Sequence, residues 1–161
     1  MFNLEKIDNT NKESFYEVLA QQAQALFMDE KDVIANAANL SSLLFNSLSE
    51  VNWAGFYFYK DEQLVLGPFQ GLPACIRIDM GRGVCGTAAE TRQTQLVDDV
   101  HEFPGHIACD AASNSEIVIP IIKEGNLLGV LDIDSPINSR FDQDDQKGLE
   151  SLVNLFVESI K

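Results

Sequence analysis

Apolar positions recur with helical spacing at both ends of the chain and with strand-like alternation between them. From residue 10 to 28, Phe15, Val18, Leu19, Leu26 and Phe27 fall on one stripe, and Thr10 stands three residues before Glu13 in capping-box spacing. This predicts an amphipathic helix that covers a sheet or a partner. A second helix is expected from Asp32, with Val33, Ala37, Leu40, Leu44 and Leu48 on one face and its end before Ser49-Glu50. A third follows Asp142, with Leu149, Leu152, Val153, Phe156 and Ile160 inward.

Between these helices the period shortens. Val51 to Tyr59, VNWAGFYFY, reads as a strand that turns through Lys60 to Gln63 into a short strand at Leu64 to Leu66. Gly67-Pro68 and Gly71-Leu72-Pro73 break the pattern, and Ala74 to Ile78 predicts another short strand. Val84 to Thr91 fits a short helix, Thr94 to Val97 a strand, and Glu116 to Lys123 and Leu127 to Ile133 a hairpin around Glu124-Gly125-Asn126. Asp98 to Ser115 has no sustained period, and a loop of that length in a compact domain is usually functional or disordered. The expectation is an α+β domain, one unit over residues 1–161, with a mainly antiparallel sheet flanked by N-terminal and C-terminal helices.

At 161 residues and 45% hydrophobic, the chain can bury a core without disulfide or metal staples. Its first dozen residues lack the apolar run of a secretory signal, and no stretch approaches the ~20 apolar residues of a membrane span. These features lead to the expectation of a cytoplasmic protein, without a membrane partner, whose cysteines in that reducing compartment do chemistry rather than architecture. A net charge of −14, from 25 acidic and 11 basic residues, repels polyanions and argues against nucleic acid as a partner.

Attention therefore falls on Cys75, Cys85 and Cys109, an odd number beside Gly and Pro turns. Any one of them alone would ordinarily be a small buried side chain. Their spacing is unlike zinc-ribbon or thioredoxin pairs; His106 three residues before Cys109 lets a mixed metal site be drawn, but no paired ligand spacing supports it. The glycines of GRGVCG match neither a dinucleotide fingerprint nor a Walker loop and read as turn residues before a helix.

Three separated stretches, QGLPACIRIDMGRGVCGTAAE (70–90), FPGHIACDAASNSEIVIPI (103–121) and GVLDIDSP (129–136), carry a resemblance to the free methionine-(R)-sulfoxide reductases, which are single GAF domains with enzymatic activity. The resemblance implies a GAF-like fold with about six mostly antiparallel strands and a ligand pocket closed by the cysteine-bearing loops. It further implies reduction of free methionine sulfoxide with Cys109 as nucleophile, Cys75 as resolving thiol and Cys85 as a secondary thiol that exchanges with them, and the sequence leaves open which of Cys75 and Cys85 resolves first. No cofactor or resident metal is needed, and thioredoxin is the implied reductant.

By the same resemblance, Glu116, Asp132, Asp134 and Asp98 are candidates to hold the substrate ammonium and supply a proton, and Trp53 to wall the terminal methyl group. Asp132 and Asp134 are two apart on a predicted strand and so share a face, although an ordinary half-buried strand alternates in the same way. Free methionine sulfoxide offers an α-ammonium that a peptide-bound residue lacks, so gathered acids also select for the free amino acid. The competing reading is a non-enzymatic GAF sensor that binds a small ligand or responds to redox state. A homodimer through the first helix stays an open expectation.

Overall fold

The computed structural model describes residues 2–106 and 109–161. Its elements run α1 (Lys12–Phe27), α2 (Val33–Ser47), β1 (Trp53–Lys60), β2 (Gln63–Gly71), β3 (Arg77–Asp79), α3 (Gly83–Thr91), β4 (Gln95–Val97), a 3-10 turn (Val100–Glu102), β5 (Ser115–Lys123), β6 (Asn126–Ser135) and α4 (Gln143–Ser159). The six strands form one sheet in the order β3-β2-β1-β6-β5-β4, and every neighbouring pair is antiparallel. This is the expected α+β architecture, a six-stranded antiparallel sheet with helices at both ends of the chain.

Alternation along β6 explains why the sheet is covered on both sides. Leu131 and Ile133 point into a core shared with Leu19, Leu40, Leu44, Phe56, Leu149 and Phe156 from α1, α2, β1 and α4. Val130 lies in a second core, with Trp53, Tyr57, Val84, Cys85, Ala88 and Val118, beneath α3 and its flanking loops. Asp132 and Asp134, in step with Val130, therefore face this second layer rather than open water.

Several local details differ from the sequence reading. Helix α1 packs chiefly on α4, with Phe15, Leu19, Ala23 and Phe27 buried, so its stripe is satisfied by a neighbouring helix rather than by the sheet directly. Gly148 of α4 sits against the Tyr16 ring, where no β-carbon would fit. The α1 cap is Asn11, whose side chain accepts from the Ser14 N–H at 3.0 Å; Thr10, one residue earlier, is not the cap. Helix α4 carries a full capping box between Asp142 and Asp145.

Strand β2 runs on through Gly67-Pro68 to Gly71, because β3 covers only Gln63 to Val65 of its outer edge. Past that point the missing Pro68 N–H deprives no neighbouring strand. Strand β3 is correspondingly shorter than expected and starts at Arg77, which leaves Ala74 to Ile76 as loop.

A candidate thiol and carboxylate active site

Strands β1, β5 and β6 bring the predicted acids together by register. Glu116 pairs with Asp134 across β5 and β6, Trp53 pairs with Asp134 across β1 and β6, and Asp132 lies opposite both Gly55 and Val118. The side chains of Trp53, Glu116, Asp132 and Asp134 line one cavity, roofed by Leu72 to Ala74, Gly83 to Cys85, His106, Cys109, Asp110 and Ser113. Glu116 and Asp132 are each 6% exposed, and Asp134 is half-buried.

Thirty-four residues apart in sequence, Cys75 and Cys109 are joined in a disulfide with a Cα–Cα distance of 5.6 Å. Cys109 lines the cavity, and the Cys75 segment forms its lip. Leu72 and Ile76, on either side of that lip, are 64% and 70% exposed. Cys85 is a buried free thiol on α3, and its Sγ lies 3.8 Å from Glu116 Oε1. The mixed site drawn from His106 and Cys109 is not formed, since the Cys109 sulfur is engaged by Cys75. Ile107 and Ala108 of the HIACD stretch lie outside the described residues.

Asp98 does not join the other acids. Its side chain is exposed, it is not among the cavity-lining residues, and its backbone carbonyl accepts from the Ser139 N–H at 2.9 Å. Asp98 lies between β4 and the 3-10 turn, on a loop rather than on the strands that carry Glu116, Asp132 and Asp134.

The electrostatics of the floor follow from burial. Desolvation, followed by the Asp132 and Asp134 charges, pushes Glu116 well above the usual carboxylate range. Burial lifts Asp132 to about 6, and burial together with Asp132 and Asp110 lifts Asp134 well up. The Cys85 thiol is pushed up by burial and by Asp132 and Glu116. Such a cluster holds protons at neutral pH and gives them up when a cation arrives.

Some lining residues were not singled out from the sequence. Tyr57 lies two strand steps from Trp53, stacks on it with ring centroids 5.9 Å apart, and donates its hydroxyl to the Cys75 carbonyl oxygen at 2.9 Å. The alternation of WAGFY, Trp53 and Tyr57 on one face, carried that signal. Trp53 Nε1 donates to the Leu72 carbonyl oxygen at 3.1 Å, and Asn52 Nδ2 donates to Asp110 Oδ2 at 3.0 Å and to Ser113 Oγ at 3.2 Å. The roof is thus hydrogen-bonded to Asn52 and to Trp53 at the start of β1.

Residues 34–160 match the family model described as a GAF domain. The chain is similar to the free methionine-R-sulfoxide reductase of Escherichia coli, 54% identical over 143 residues that cover 89% of this chain and 87% of the relative. It is similar to the structure of fRMsr of Staphylococcus aureus in complex with substrate, with 49% identity, a TM-score of 0.89 and coverage of 98% and 100% of the two chains. The free methionine-R-sulfoxide reductase of Neisseria meningitidis in complex with its substrate superposes with a TM-score of 0.94 at 38% identity, covering 99% of this chain and 95% of that one.

Proposed function

The chain belongs to the free methionine-R-sulfoxide reductases built on the GAF domain and is an oxidoreductase; from that premise we propose that it reduces free L-methionine-(R)-S-oxide to methionine with Cys109 as nucleophile and Cys75 as resolving thiol. The observation that carries the reading is the Cys75–Cys109 bond at the mouth of a cavity floored by Glu116, Asp132 and Asp134.

The chemistry balances on those groups. Sulfur of Cys109 attacks the sulfoxide sulfur, the oxygen takes up protons as the S–O bond is transferred, and methionine departs, leaving a sulfenic acid on Cys109. Cys75 then displaces that oxygen as water and closes the disulfide. Substrate sulfur gains two electrons and the two cysteines lose them. A dithiol protein of the thioredoxin kind, in a reducing cytoplasmic setting, reopens the bond.

In this reading the acids have two tasks. One carboxyl, kept protonated by burial, supplies the proton the leaving oxygen needs. The others ionise against the substrate α-ammonium, which a peptide-bound methionine sulfoxide lacks, so its entry would leave buried acids unpaired. Trp53, with Phe69 stacked behind it at 5.1 Å, offers the apolar wall for the methyl group. Asp110 beside Cys109 disfavours a free thiolate, and the incoming ammonium offsets that charge as attack begins.

Incubation with racemic methionine sulfoxide and a dithiol, followed by separation of the epimers, tests this. Loss of the free R epimer alone, abolished in Cys109→Ser and absent for a peptide-bound sulfoxide, is the expected result. Unchanged substrate with folded, reduced wild type would reject it in favour of a ligand sensor.

A further inference from the structure

Cys85 is not used by the two-cysteine cycle above, yet it is buried and lines the cavity. Its Sγ, a Glu116 oxygen and an Asp132 oxygen all lie within 4.8 Å of one another, and all three residues are buried. Asp132 is 6% exposed, and its Oδ1 has no hydrogen-bond partner among the described residues. An orphaned carboxylate oxygen lining a cavity lacks a donor or a cation. The basic residues on the cavity wall, Arg82 and His106, take part in none of the ion pairs among the described residues.

We propose that Cys85, Glu116 and Asp132 form a site for one borderline-soft divalent cation of the zinc class, and that the bound ion closes the cavity to the ammonium-bearing substrate. One thiolate and two carboxylate oxygens make a three-ligand set that leaves a fourth position to the cavity. A tetrahedral zinc ion with ordinary bond lengths places sulfur and oxygen ligands ~3.6 Å apart, and the Cys85 to Glu116 separation is 3.8 Å. Thiolate selects zinc-like ions over calcium or magnesium, which prefer all-oxygen shells. On binding, the protons held by the Cys85 thiol and by the buried Glu116 carboxyl pass to solvent, and sulfur–metal and oxygen–metal bonds replace S–H and O–H; no electron moves.

The site stands on cavity geometry, whereas the blocking of substrate rests on the proposed function. Oxidised protein isolates it, because with Cys75 and Cys109 joined the remaining thiol is Cys85. Titrating that protein with Co²⁺ should give a saturable thiolate-to-cobalt absorption at one equivalent, displaced by Zn²⁺ and insensitive to Mg²⁺. The band should vanish in Cys85→Ser and need at least tenfold more Co²⁺ in the near-isosteric Asp132→Asn. Absence of the band in folded wild type, or an unaltered titration in Asp132→Asn, overturns the site, even if Cys85→Ser fails to fold. Free methionine should displace the band, and a band indifferent to saturating methionine overturns the blocking. Failure to reduce methionine sulfoxide would defeat the proposed reaction without changing the cobalt result.

Discussion

The Tyr57 hydroxyl donates to the Cys75 carbonyl oxygen at 2.9 Å and so ties strand β1, in the cavity floor, to the segment that bears the disulfide. Burial, followed by the Asp132 charge, holds the phenol well above its usual pKa, so it remains a donor wherever the enzyme is folded. The floor thereby positions a sulfur that it does not itself carry.

Tyr57→Phe keeps the ring stacked on Trp53 and removes only this tether. A neutral hydrogen bond contributes about 1 kcal/mol, roughly a factor of five in an equilibrium. The Cys75–Cys109 bond should therefore be about fivefold easier to reduce against a dithiothreitol buffer, read by alkylating free thiols. An unchanged equilibrium would mean that the tether does not favour the bonded state.

Stability should fall as pH rises, because the acid cluster is more easily protonated in the native state than in the unfolded chain. Asp132 goes from an ordinary 3.8 to about 6 on folding, and Glu116 and Asp134 also move up. The native protein thus binds more protons, and the stabilisation is present at low pH and lost as each group is forced to ionise. Asp132→Asn removes one such group. By about pH 7 it should gain on the order of 2 kcal/mol over wild type relative to the comparison at about pH 4. Urea midpoints at the two pH values measure this, and a constant difference between the proteins contradicts it.

Asp145, 1% exposed, accepts from the Tyr16 hydroxyl at 2.7 Å, from Lys12 Nζ at 2.6 Å and from the Asp142 N–H at 2.9 Å. Asp145→Ala leaves a buried phenol and a cap N–H without partners and should cost ~3 kcal/mol. Lys12→Ala, which removes a partly exposed cation, should cost under ~1 kcal/mol. The contrast, read as two urea midpoints at similar slope, tests whether the buried acceptor rather than the ion pair secures α1 on α4.

Gly129 tests the sheet. A β-carbon there would run into the Tyr57 carbonyl oxygen and come within 2.9 Å of Phe58 Cα, both backbone atoms of the adjacent strand β1. Gly129→Ala should cost ~3 kcal/mol through forced separation of β1 and β6. Because those strands carry Trp53, Asp132 and Asp134, the variant should also bind substrate more weakly than its loss of stability alone explains, measured by KM in conditions where it remains folded. A folded variant with unaltered KM would show that the acids tolerate a shifted ladder.

The helices and the β5–β6 hairpin were legible because their apolar residues repeat with a clean period, and α2 and α4 begin where expected, just after Asp32 and Asp142. Asp132 and Asp134 could be assigned to one face, but not to the buried face, since alternation alone cannot tell a solvated side from a second core. That depended on α3 and the roof loops folding over β6. Strand β2 was cut short because Pro68 reads as a break unless the unpaired outer edge is known. Asp98 entered through the resemblance alone, whereas Tyr57 was passed over inside an aromatic run where every residue looks like core. Cys75 and Cys109 were named as partners through resemblance, and only the fold supplies the closeness of two sulfurs 34 positions apart.

Trp53 is the chain's single tryptophan and forms part of the cavity wall. All indole fluorescence of the protein consequently originates in the wall of the cavity to which the proposed reaction is assigned. The molecule carries its own optical gauge, through which occupancy of the cavity and opening of the neighbouring sulfur bridge can be followed without any attached dye.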